Sequence, residues 1–176
     1  MHLQEKLTKL LKISSFEPPV IFCIGSDRVT GDCFGPLVGE FLINNYNIDT
    51  FVYGTLTSPI TALNIVKTYA FVRARHPKAI ILAIDSALGL KEDVGHFRVI
   101  ADGIFPGAAT GKKLPKIGDI ALTATVAPMG PGIPLYGVQL GFVNTMAKLG
   151  ARMISECLGE IKANKDYAPE SRLTLA

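Results

Sequence analysis

The 176-residue chain has no tryptophan, three cysteines, three histidines and only 19% charged residues. Each shortage closes off some chemistry. Cys23, Cys33 and Cys157 are odd in number and show no CxxC spacing, which argues against a disulfide framework or a zinc site. Cys23 stands in an apolar run and Cys157 in a helical segment, so both read as small buried hydrophobes. Cys33 has no histidine in its own loop to activate it as a nucleophile. His2, His76 and His96 form no metal-ligand pattern such as HExxH. A GxSxG elbow for a serine triad is also missing.

Long apolar runs are missing as well. No stretch approaches the roughly 18 uninterrupted residues of a membrane span. The N-terminal "MHLQEKLTKLLKISS" has no continuous apolar core of signal-peptide length. A cytoplasmic protein with no membrane partner is expected. The net charge of +3 is mild and the basic residues are scattered. Without a basic stripe interleaved with aromatics, a nucleic-acid partner is not expected either.

What is present is hydrophobic: 48% of residues are apolar and the mean hydropathy is +0.32. That fits a sheet covered on both faces, and a homo-oligomer interface would account for the excess equally well. The length suits one domain over 1–176, with an N-terminal helix within 1–15 carrying Leu3, Leu7, Leu10 and Leu11, and a frayed tail over 163–176. Apolar β-rich runs predict strands at 20–24, 51–54, 79–86, 95–100 and 119–127. Helical spacing predicts a helix from Pro36, a second over 55–75 with Ser58 and Pro59 at its start, and a last one over about 136–161 with Phe142, Met146, Leu149 and Met153 on one face. The alternation implies a three-layer α/β/α sandwich on a mixed, mostly parallel five-stranded sheet. The fourth strand follows the third too closely for a crossover helix, so it is expected to run antiparallel.

Sites in open α/β sheets form at the carboxyl ends of the strands. Two acids sit at such places: Asp32 in "CIGSDRVTGDCFGP" and Asp85 at the point where "AIILAIDS" is expected to stop. Burial would raise Asp85, and two nearby carboxylates would split their titrations, one accepting a proton while the other holds one. Such a pair can activate water for peptide hydrolysis or contribute to a divalent-metal site. The plainer alternative is that Asp32 caps a helix and Asp85 a turn. The glycines of the first loop would let its amides face an anion or oxyanion. "GAATGKK" has one residue too few for a phosphate loop and no hydroxyl after its lysine, so nucleotide binding is disfavoured.

The stretches "IGSDRVTGDCFGPLVG", "VYGTLTSPITALN", "AIDSALG" and "PGAATGKKLPKIGDIALTATVA" resemble, in that order, the YyaC-like sporulation proteins of spore-forming Firmicutes, described as candidate spore proteases. The resemblance spans roughly 19–127; beyond it "VAPMGPGIP" and "VQLGFVNTM" depart from the family pattern. More distantly the chain is similar to the spore germination protease and the hydrogenase-maturation endopeptidases. The resemblance implies a mixed five-stranded α/β/α fold and Asp32 and Asp85 as the catalytic pair. It also implies a loop at Pro106 and Gly107 near substrate. Gly25, Ser26, Arg28, Thr30, Gly31 and Lys112 complete the expected substrate-binding set. The nickel-binding histidine of the maturation enzymes has no counterpart here, so no metal and no cofactor is expected. The implied activity is a sporulation or germination endopeptidase acting on a protein or peptide, with small acid-soluble spore proteins as the suggested substrate and the forespore or spore core as the implied compartment. A non-catalytic peptide- or anion-binding protein on the same fold, or a metal-dependent maturation-type peptidase, remains the alternative.

Overall fold

The computed structural model describes residues 2–12, 17–107, 114–130 and 134–166. Strands β1 (Val20–Cys23), β2 (Val52–Tyr53), β3 (Ile81–Gly89), β4 (Phe97–Ile100) and β5 (Ile120–Pro128) form one sheet in the order β2-β1-β3-β5-β4. All neighbours pair parallel except β4, which runs antiparallel to β5. The helices are α1 (Leu3–Lys12), α2 (Phe34–Asn44), α3 (Ile65–Arg75) and α4 (Leu140–Asp166).

Successive strand residues point to opposite faces, so each strand feeds two cores. On one face, Ile21, Cys23, Leu82, Ile84 and Leu122 pack under Leu7 and Leu11 of α1, Phe34, Val38 and Leu42 of α2, and Val143, Ala147 and Ile154 of α4. On the other, Val20, Phe22, Ile81, Ala83 and Ala121 meet Ile65 and Val72 of α3. Among the described residues the sandwich is therefore lopsided, three helices against one. Among the described residues no helix is long and apolar enough to cross a membrane.

Several local expectations are corrected. The second helix does not fill 55–75: only Ile65–Arg75 is helical, and Ser58 and Pro59 do not start it. Threonines at 55, 57 and 61 offer the backbone competing hydrogen bonds, and the segment turns instead. Asn64 ties this turn, its Oδ1 accepting from the Thr61 N–H at 2.8 Å and its amide donating to the Pro59 carbonyl at 3.1 Å. Ile60 then forms a parallel bridge to Ile24, beside the first loop. The helix expected from Pro36 begins two residues earlier, behind a 3-10 turn over Thr30–Cys33. The last helix starts at Leu140 after a 3-10 turn over Pro134–Gly137 and reaches Asp166, past the expected fraying point; 167–176 lie outside the described residues. Its buried stripe runs through Val143, Met146, Ala147, Ala151 and Ile154, while Leu149 faces solvent.

Candidate functional site

The first loop is built so that its backbone folds onto itself. The Ser26 N–H donates to the Asp32 carbonyl at 3.1 Å, the Gly25 N–H to Ile60 at 2.9 Å, and the Arg28 N–H to Ser26 Oγ at 3.2 Å. Gly25 adopts φ +144°, and a Cβ there would overlap the Asp32 carbonyl oxygen, so only glycine fits. These three amides are engaged within the protein. The turn Pro134–Gly137 presses on Gly31, where a Cβ would meet Leu135 Cδ2 at 2.8 Å. Thr30 is half-buried and Arg28 is exposed.

Asp32 lies in the 3-10 turn itself. The N-cap residues of the turn and of α2 are Val29 and Cys33, neither with a side-chain cap, so Asp32 is the N-cap residue of neither. Cys33 is buried behind it, its thiol near the Ser26 and Val29 carbonyls at 3.3 and 3.4 Å. Burial, then the charges of Asp32 and Asp27, push that thiol up, which removes the thiolate a nucleophile needs. Cys23 and Cys157 are buried free thiols, as their sequence contexts suggest.

Strand β3 does not stop at the acid. It runs through Asp85 to Gly89, with an irregularity between Ala87 and Leu88. Asp85 is 8% exposed, and its Oδ1 accepts the Ser86 N–H at 2.9 Å. Burial first, and the charge of Asp32 second, raise its carboxyl well above the usual carboxylate range; the Ser86 bond opposes them. Asp32 and Asp85 are thus within electrostatic reach of one another.

Register shows what Asp85 stands beside. It pairs with Thr123 of β5, and Thr123 pairs in turn with Arg98 of β4. Acid, hydroxyl and guanidinium form a row across three strands on the α3 side of the sheet. A cleft of about 700 Å³ opens over this row, lined also by Thr125, Phe105, Gly107 and Met129, and no residue of α3 reaches it. Arg98 is loosely held by Asp93 at 3.9 Å and is largely exposed. Of the expected site residues, Asp85 and Gly107 line this cleft. Pro106 is buried beside Gly107. Gly25, Ser26, Arg28, Thr30 and Gly31 belong to the loop of Asp32 and do not line it, and Lys112 lies outside the described residues. Among the described residues no group of three or more His, Cys, Asp or Glu side chains could hold a metal ion. Sequence reasoning missed Arg98, Thr123 and Thr125. The available signal was the alternating Thr123 and Thr125 inside an otherwise apolar strand, which marks one polar stripe.

The family model described as "Protein of unknown function (DUF1256)" matches residues 1–153. The chain is 34% identical over 155 residues to the Bacillus subtilis (strain 168) protein named "Uncharacterized protein YyaC", covering 87% of this chain and 76% of that one. Among solved structures it is similar to the [NiFe] hydrogenase maturation protease HycI of Thermococcus kodakarensis KOD1. That match has a TM-score of 0.58 and 19% identity, covering 88% of this chain and 99% of the other. At that identity the likeness concerns the fold.

Proposed function

The chain belongs to the DUF1256 family, and from that premise we propose that it is an endopeptidase of sporulation or germination that hydrolyses peptide bonds with Asp32 and Asp85. One observation carries the reading: the Asp85 carboxyl is buried at a cleft, beside the charge of Asp32, and is pushed well up. Environments that drive two carboxyls apart assign one as acid and one as base. The protease fold of the similar structure supports the reaction class.

In this mechanism Asp32, ionised, takes a proton from a water that attacks the scissile carbonyl carbon. Asp85, protonated, passes its proton to the departing amine nitrogen as the C–N bond breaks. Proton transfer from Asp32 to Asp85 restores the starting pair. Thr123 and Arg98, in register with Asp85, orient the substrate in the cleft. The substrate is a protein, with small acid-soluble spore proteins as the class to try first.

The test incubates the purified protein with those proteins and with unrelated unfolded chains, and reads fragments by mass spectrometry. Cleavage by the wild type, lost in Asp32→Asn and Asp85→Asn proteins that remain folded, is the expected result. A wild type that leaves every substrate intact, or an Asp85→Asn protein that cleaves at the wild-type rate, overturns it.

A further inference from the structure

Helix α3 carries exposed apolar residues as well as buried ones. Ile65 and Val72 are buried against the sheet, yet Leu63, just before the helix, is 97% exposed, and Val66 and Phe71 are 53% and 59% exposed. At about 100° per residue, Leu63, Val66, Ala70 and Ala74 fall in one stripe opposite Ile65 and Val72, with Lys67 inside it and Phe71 at its margin. Ala70 and Ala74 are exposed as well. Large apolar side chains gathered on an exposed surface mark interaction sites, so Leu63, Val66 and Phe71 have the character of a surface that is covered in use. Phe51, also exposed, extends the apolar surface past the end of the helix, its ring tilted against that of His76 at 4.5 Å.

Charge decides the occupant. No aspartate or glutamate occurs between Asp49 and Asp85, while Lys67, Arg73, Arg75 and Lys78 all fall in that span. Arg73 is held by Asp119 at 2.8 Å, and among the described residues Lys67, Arg75 and Lys78 make no ion pair. A second copy docked through the same stripe would oppose like charges with no acid to offset them, which disfavours self-association there. Ala70 and Ala74 are small, so a ridge of another helix can approach closely there. Recognition of a helix by a surface of this kind uses apolar anchors at i, i+3, i+4 and i+7. We propose that the outward face of α3 is a docking site for an acidic amphipathic helix of another protein: apolar anchors meet Leu63, Val66, Ala70 and Phe71, and flanking carboxylates meet Lys67, Arg75 and Lys78.

The test selects binders to the full chain from a displayed library of helical peptides. Apolar residues are held at i, i+3, i+4 and i+7, and the flanking positions vary among glutamate, glutamine and lysine. Selected peptides are expected to be enriched in glutamate and to bind more weakly as salt is raised. Their affinity should fall about tenfold or more with Val66→Glu and with Lys67→Glu, while circular dichroism and melting temperature stay at wild-type values. Leu63→Ser, at a fully exposed position, serves as a second variant should Val66→Glu disturb the helix. The proposal is overturned by failure to select any binder, by enrichment of lysine, or by affinities that these variants leave unchanged. It is equally overturned if the protein dimerises in sedimentation and Val66→Glu makes it monomeric, or if it binds phosphatidylglycerol–phosphatidylcholine vesicles in a manner that Val66→Glu abolishes. Neither the selection nor the variants depend on peptidase activity, so this result is separable from that of the cleavage test.

Discussion

The two faces of the sheet are finished differently. On one, α1, α2 and α4 close over the strands, and Phe34, Leu42, Leu82, Ile84 and Ile154 are wholly buried. On the other, α3 is the one described helix, joined by Ile60 and Ile117 from connecting segments; Asp85, Thr123 and Thr125 line an open cleft, and the outside of the helix exposes Val66 and Phe71. The same five strands supply both faces, so the difference lies in what each face is left to do. The closed face buries large side chains, each contributing about 1.5–3 kcal/mol. The half-open face can accommodate an acid whose burial is unfavourable, because water and ligands reach the cleft beside it. The larger core lies on one side, and the cleft of the proposed chemistry on the other.

The comparison breaks most visibly in catalysis. Asp32→Asn and Asp85→Asn are each expected to lower the cleavage rate about 10³-fold, the scale of a lost general acid or base, with the far-ultraviolet spectrum unchanged. On the closed face, Phe34→Ala should cost about 3–5 kcal/mol in urea unfolding, because Phe34 is fully buried and meets the ring of Phe97 at 6.1 Å. Val66→Ser on the outside of α3 should stay within about 0.5 kcal/mol of wild type in the same experiment. A large loss at Val66 and a small one at Phe34 would invert the assignment of the two faces.

Asp85 also links the faces through pH. Its carboxyl is raised in the folded protein by burial and by Asp32, so the native state keeps a proton that the unfolded chain releases at about pH 4. Stability attributable to this group is therefore greatest at low pH and declines as pH rises from about 4 toward the folded value. Asp85→Asn removes that decline. The variant should melt above wild type at pH 8, with the gap closing toward pH 4. In the cleavage assay, activity should fall at high pH as Asp85 loses the proton it donates, at a pH above the ordinary carboxylate range. A modest effect is expected at the Arg73–Asp119 pair. Asp119 Oδ2 accepts from both Arg73 and the Ile81 N–H at 2.8 Å, but both side chains are partly exposed. Arg73→Ala should cost about 1 kcal/mol, read by the same denaturation.

Much of this molecule was legible in advance because its signals are local. Continuous apolar runs marked β1, β3 and β5, and the short link between β3 and β4 pointed to the one antiparallel strand. An acid within "AIILAIDS" stands out because the residues before it leave little water for a charge. The misplaced boundaries have local causes too: the threonine-rich segment before Asn64 keeps a good helical pattern but prefers turns, and β3 passes through its acid because β5 continues to pair with it as far as Gly89.

By itself the sequence determined the strand-forming segments, the α/β class and the two acids worth watching, since these follow from hydrophobic runs, turn residues and charge placement along the chain. Only the tertiary structure decided that Asp85, Thr123 and Arg98 stand in one row, that Asp32 lies close enough to raise Asp85, and that three helices cover one face and one the other. Strand register and helix placement join residues far apart in the chain, and they are set by the packing of the whole rather than by the pattern of any part.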